Sequence, residues 1–205
     1  MIGIIDIRLG NLSSVKNSVD SLFFENIIIQ DPEKISSCSH VILPGVGSYK
    51  QGMTKIKDLN FYKPLKKFVD SGKPLLGICL GMQLFFSFGN EFENIEGLNF
   101  ISGSVKKLQV KNKFKLPHVG WNTLNEIKDH YIMSGIKKGI DVYFVHSFHC
   151  LPNDLNNVIA RTNYSENFVS IVAKDNIIGT QFHPEKSTPL GTKILKNFLM
   201  WDGNC

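Results

Sequence analysis

The sequence predicts an α/β fold, a single domain spanning residues 1–205. It has a mainly parallel central sheet, helices on both faces and added antiparallel strands. Three observations lead there. The segments HVILPG (40–45) and PLLGIC (74–79) are apolar throughout, without polar alternation, as in strands covered on both faces. In the first half, such segments alternate with stretches of helical spacing. In the second half, strand-like segments follow one another closely, separated by short polar turns.

In chain order, GIIDI (3–7) reads as the first strand and residues 12–23 as a helix. NIIIQ (26–30) and HVILPG follow as strands. Leu65, Phe68 and Val69 keep helical spacing and predict a helix over 58–70. After PLLGIC, a further helix is expected over 80–88. GLNFISGSVKKLQV, VYFVHSFHC, NVIARTNY, FVSIVAK and NIIGTQFHP then read as strands, with turns such as Lys174-Asp175-Asn176 between them. An amphipathic helix over 188–201 closes the chain.

At 205 residues and 42% hydrophobic, the chain can bury one sizeable core. The net charge of +5 comes from scattered lysines. With no basic run and no basic–aromatic interleaving, no nucleic-acid partner is expected. No apolar stretch approaches bilayer length, and MIGIIDI reads as a strand rather than a signal peptide, so no membrane association is expected. Cys38, Cys79, Cys150 and Cys205 lie far apart without a C-x-x-C pair. That spacing points to reduced thiols in the cytoplasm and against both a disulfide framework and a zinc site; no metal and no cofactor are expected. Three of them read as packing residues; Cys79 has neighbours that ask for more.

Gly77-Ile78-Cys79-Leu80-Gly81 places a thiol between glycines at a predicted strand-to-helix junction. A nucleophile elbow needs this pattern, because the side chain projects from a strained turn that a flanking Cβ would obstruct. The following helix would offer free N–H groups that favour a thiolate, and the Leu80 N–H would face an oxyanion. Taken alone, the pentapeptide fits a buried cysteine beside packing glycines equally well. A nucleophilic thiol also needs a base with an orienting partner. Gln181-Phe182-His183-Pro184-Glu185 follows a predicted core strand and puts His183 at the sheet's carboxyl edge. Pro184 ends the strand and sets the relation of His183 to Glu185. A capped turn is the alternative. Leu43-Pro44-Gly45-Val46-Gly47-Ser48 ends another core strand; Gly45 and Gly47 would let the Val46 amide face a site as a second oxyanion donor, or form a plain turn.

Together these residues resemble the class I (triad) glutamine amidotransferases: Gly77-x-Cys79-x-Gly81-x-Gln83, with His183-Pro184-Glu185 about a hundred residues on. Pro44-Gly45-Val46-Gly47, Pro117-His118-Val119-Gly120-Trp121-Asn122 and His183-Pro184-Glu185-Lys186-Ser187 are similar to the branch that serves imidazole glycerol phosphate synthase. The likeness runs over essentially the whole chain. It implies Cys79 as the nucleophile that forms a γ-glutamyl thioester, His183 as acid/base and Glu185 as its orienter. It implies oxyanion donors at Val46 and Leu80, with glutamine held by Gln83, Glu91 and the backbone near Ser147 and Phe148. It also implies a heterodimer with a (β/α)₈ cyclase subunit that receives the ammonia for histidine biosynthesis, meeting Asn11, Trp121 and Lys186. In that branch the glutaminase is nearly silent until the partner is loaded. The expectation here is that the Val46 N–H points away at rest and turns inward on activation.

One departure stands out. The family usually continues its first strand with Asp-Tyr-Gly-x-Gly-Asn, whereas this chain has Asp6-Ile7-Arg8-Leu9-Gly10-Asn11. Arg8 in place of the first glycine leaves the acceptor open: a paralogue delivering ammonia to a sugar amidotransferase in surface-polysaccharide synthesis is the alternative. A cysteine peptidase of related fold would keep the elbow but would need neither Gln83 nor Trp121. A stand-alone γ-glutamyl hydrolase would need no partner surface.

Overall fold

The computed structural model describes residues 1–91, 93–111 and 113–204, so Cys205 lies outside the described residues. Its centre is an eight-stranded sheet. Five strands run parallel: β1 (Ile2–Ile5), β2 (Asn26–Ile29), β3 (His40–Gly45), β4 (Leu75–Cys79) and β14 (Ile177–Thr180). Three antiparallel strands extend it: β13 (Glu166–Lys174), β12 (Val158–Tyr164) and the short β9 (Glu126–Ile127). The spatial order is β2-β1-β3-β4-β14-β13-β12-β9.

The unbroken apolar runs of the core strands follow from burial on both faces. Ile4, Ile42, Leu76 and Ile78 point into one core, shared with α1 (Leu12–Asp20) and α5 (Leu190–Met200) through Val15, Val19, Ile194, Leu195 and Phe198. Ile5, Val41, Leu43 and Leu75, offset by one residue, point into the other. That core is shared with α2 (Tyr49–Asp58) and α3 (Tyr62–Asp70) through Met53, Ile56, Leu65 and Phe68. No helix among the described residues is long and apolar enough to cross a membrane.

Around this layer sit two smaller sheets. One contains β5 (Phe86–Asn90), β6 (Asn94–Glu96), β7 (Ile101–Lys107) and β11 (Phe148–Pro152); the other pairs β8 (His118–Leu124) with β10 (Ile140–His146). The segment VYFVHSFHC is therefore two strands that part at Ser147 and enter different sheets.

The structure corrects two local expectations. The helix anticipated over 80–88 stops early: α4 spans Leu80–Leu84, and the chain then enters β5, paired with β7. Phe85 and Phe86 are consecutive and both fully buried, which suits a chain between two layers; a short apolar run does not distinguish helix from buried strand. The helix expected over 58–70 begins at Tyr62, and α2 precedes it. Ser48 and Gln51 form a capping box at the start of α2. Gly52, an unfavourable helix residue, is there because a Cβ would press on Leu84 Cδ2 at 2.9 Å.

Candidate active site

β3, β4 and β14 are neighbours in the sheet, and their carboxyl ends put Gly45 and Cys79 side by side, with the chain after Thr180 next to them. Functional groups collect at this edge of a parallel sheet because loops, not ladder partners, follow the strand ends. Cys79 lies at the β4–α4 junction with φ 55° and ψ −108°, a strained conformation for a residue with a Cβ. Its flanking glycines are required by space. A Cβ on Gly77 would stand 2.6 Å from the Met82 backbone nitrogen, and one on Gly81 would drive into the Leu43 carbonyl oxygen. α4 is only five residues long, so what it offers the sulfur is local. As its first residue, Leu80 has an N–H without an intrahelical acceptor.

His183 reaches this point through the turn after β14. Its Nδ1 bonds Glu185 Oε1 at 2.8 Å, within a pocket that leaves the two side chains 4% and 3% exposed. β10 holds the backbone through Tyr143, whose carbonyl accepts from the His183 N–H at 3.0 Å; Ser187, itself bonded to the Tyr143 N–H, donates its hydroxyl to the His183 carbonyl at 2.6 Å. Its other ring nitrogen, Nε2, is buried without a hydrogen-bond partner in good geometry, as is Glu185 Oε2. Burial alone would depress the imidazole, but the Cys79 sulfur and the Glu185 carboxylate outweigh it and hold the pKa up to about 10. Apo sites commonly leave such a pair loose until substrate tightens it.

A second group of histidines is driven the other way. Desolvation lowers His118 to about 4 and His146 to about 3, so both are neutral donor–acceptors. His118 Nδ1 meets His146 Nε2 at 3.0 Å, and His146 Nδ1 meets the Phe148 carbonyl at 2.9 Å. The two groups give stability opposite pH slopes. A raised folded pKa stabilises fully below the unfolded value near 6.5 and fades as pH climbs toward 10. A lowered one stabilises above 6.5 and fades as pH falls toward 3–4. Denaturant melts are therefore expected to show greatest stability near neutrality, and Glu185→Gln should make the alkaline limb shallower.

A cavity of about 180 Å³ opens beside the sulfur. Its walls include Val46, Gly47, Cys79, Gln83, Glu91, His146, Ser147 and Phe148. The residues expected to hold substrate thus face one space, with Leu80 beside them. Some are already engaged. Glu91 Oε2 accepts from the Tyr49 N–H at 2.8 Å, which anchors the carboxylate at the start of α2. The Phe148 carbonyl accepts from both Gln83 and His146. Val46 N–H donates to the Leu9 carbonyl at 3.2 Å, so it is committed to the first loop and not to the cavity. Gly47, at φ 111°, supplies the backbone freedom beside it.

The expected interface residues are exposed. Trp121 (56% exposed) packs edge-on against Tyr143 at 6.1 Å, and the Lys186 ammonium sits over the same Tyr143 ring at 5.6 Å. Asn11 caps α1, which packs against the turn that carries Lys186. Arg8 adopts φ 60°, the region glycine enters freely, and its N–H is steadied by Asp6 Oδ1 at 2.7 Å. Among the described residues, no cluster of three or more His, Cys, Asp or Glu side chains could hold a metal ion.

The family profile for "Glutamine amidotransferase class-I" matches residues 4–201. The chain belongs to the class-I glutamine amidotransferase family. Relatives of this amidotransferase include an imidazole glycerol phosphate synthase subunit HisH from Pelagibacter ubique, 46% identical over 96% of this chain and 97% of its own. The subunit HisH 2 of Methanococcus maripaludis is 44% identical over 97% and 98%, and HisH of Methanocaldococcus jannaschii 43% over 97% and 98%. Among solved structures, PurLQS from Thermotoga maritima superposes with a TM-score of 0.75 at 20% identity, covering 97% of this chain and 96% of its own. That likeness concerns the fold: a mixed α/β domain on a mostly parallel sheet, as the apolar runs predicted. Sequence reasoning missed Gln181, the Leu9 carbonyl and Tyr143. Gln181 was within reach of it, since residues two apart on an extended chain share a face and His183 follows by two.

Proposed function

We propose that this amidotransferase is the glutaminase subunit of imidazole glycerol phosphate synthase. The reading is supported by whole-length relatives named as that subunit and by one observation above all. The strained Cys79 stands at the end of β4, at the mouth of a cavity, and the turn after the neighbouring β14 carries a histidine already bound to Glu185.

In this reading the Cys79 sulfur attacks the side-chain carbonyl carbon of glutamine while its proton is carried by His183. The tetrahedral oxyanion faces the Leu80 N–H. His183 returns the proton to the leaving nitrogen, and the C–N bond breaks to give ammonia and a γ-glutamyl thioester. Water, deprotonated by His183, then cleaves the C–S bond to release glutamate and restore the thiol. Glu185 keeps the imidazole oriented and favours its charged form. Gln83 and Glu91 hold the amino-acid end of the substrate, aided by the backbone at Ser147 and Phe148. Ammonia passes to a (β/α)₈ cyclase subunit docked on the surface of Asn11, Trp121 and Lys186.

The bond from Val46 N–H to the Leu9 carbonyl supports a resting state that lacks its second oxyanion donor. One such donor is worth about 10²–10³ in rate. Glutamine hydrolysis is expected to be slow in the isolated chain and to rise about a hundredfold or more with the cyclase and its nucleotide acceptor. Hydrogen exchange at Val46 should change in step. A rate indifferent to partner and acceptor would refute the switch. The exposed Arg8 in the first loop favours one second reading, ammonia delivery to an acetamido sugar; activation by a sugar amidotransferase instead of the cyclase would select it.

A further inference from the structure

Gln181 has no part in the reaction as drawn, yet it is fully buried with both ends of its amide engaged. Its Oε1 accepts from Gln83 Nε2 at 3.0 Å, and its Nε2 stands 3.7 Å from the Cys79 sulfur. The orientation of the two amides follows from what each neighbour can do. The Phe148 carbonyl can only accept, so Gln83 must turn its NH₂ toward it, at 3.1 Å. That NH₂ also faces Gln181, which must then present its oxygen there and its N–H groups to the sulfur. Turned over, Gln181 would bring two NH₂ groups together in a buried site, leaving donors unsatisfied. The Phe148 carbonyl is itself held by His146, which is held by His118.

We propose that Gln181 is a positioning residue for glutamine hydrolysis. Its amide N–H fixes the Cys79 sulfur at the mouth of the cavity and supports negative charge there, with its direction imposed by the Phe148 carbonyl through Gln83. In its thiol form Cys79 has the Val145 carbonyl, 3.9 Å away, as an acceptor. With the proton on His183, the Gln181 N–H remains as a donor to the sulfur. The assignment rests on reading Cys79 as the nucleophile. It adds that substrate contacts at Gln83 and the attacking atom share one hydrogen-bonded chain.

Two variants test this. Gln181→Met removes the donor at similar volume; Gln181→Glu keeps an acceptor for Gln83 but offers the sulfur no N–H. Iodoacetamide alkylation of Cys79, mapped by peptide mass, is followed alongside steady-state glutaminase kinetics in the partner complex. Both variants should alkylate about tenfold more slowly and lose about tenfold in kcat, with KM changed less than threefold, as for a hydrogen bond to a developing charge. A merely structural role predicts the opposite sign, because loosening the site exposes a thiol that is 6% exposed and speeds alkylation. Alkylation at the native rate or faster in a folded variant overturns the proposal, as does failure of both variants to fold. Glutaminase activity that survives alkylation of Cys79 in the unsubstituted chain would instead overturn the reading of Cys79, leaving any effect of Gln181 on the thiol standing.

Discussion

Cys79→Ala is expected to lower glutamine hydrolysis by at least about 10⁴-fold in the presence of the partner, with the fold retained. Loss of a nucleophile acting in concert with its base removes nearly all of the pair's contribution. The same change separates chemistry from strain. Cys79 is held at φ 55°, ψ −108°, where a side chain is tolerated only because the surroundings leave the backbone no alternative. Alanine keeps the Cβ and therefore the strain, whereas glycine relieves it. Cys79→Gly should be equally inactive yet more stable than Cys79→Ala by about 1 kcal/mol, the relief of strain being partly offset by the freer unfolded chain. Both variants also deprive His183 of the group that most favours its charged form, so the alkaline loss of stability should become shallower. Glutamine hydrolysis by Cys79→Ala within a factor of a hundred of the unsubstituted rate would sink the mechanism.

Gly81→Ala should be the most damaging small substitution. The added methyl would drive into the Leu43 carbonyl oxygen, which belongs to β3 at a position paired with Gly77 of β4. Neither a side-chain rotation nor a shift of Leu43 alone can clear it, so β3 and α4 must separate. Overpacking that moves backbone costs about 3 kcal/mol, a fall of about 6–12 °C in Tm for a chain of this size. Gly45→Ala offers a graded comparison. Its Cβ would meet the Leu80 side chain at 3.2–3.4 Å, a squeeze that a side chain can partly accommodate. Calorimetry should therefore rank Gly45→Ala as clearly milder. Equal melting temperatures for the two would show that β3 and α4 yield more readily than the close approach implies.

Where the sequence failed to specify local structure, particular residues show why. MQLFFSF carries no periodicity that separates helix from buried strand, and pairing with β7, some fifteen residues downstream, made the decision. The start of α2 was written locally in Ser48 and Gln51, but Gly52 at its centre masked the helical pattern. Gln181 went unassigned because its significance depends on Gln83 and Phe148, 98 and 33 residues away in the chain.

The sequence by itself determined the parallel core, because runs without polar alternation are stable only when covered on both faces. It made the elbow legible once Gly77-Ile78-Cys79-Leu80-Gly81 was taken with His183-Pro184-Glu185, because a cysteine between glycines by itself fits plain packing equally well. The tertiary structure alone decided which partners the amides find. Val46 turns to Leu9, and Gln181 turns to the sulfur, because buried donors must find acceptors and those acceptors come from distant strands and loops.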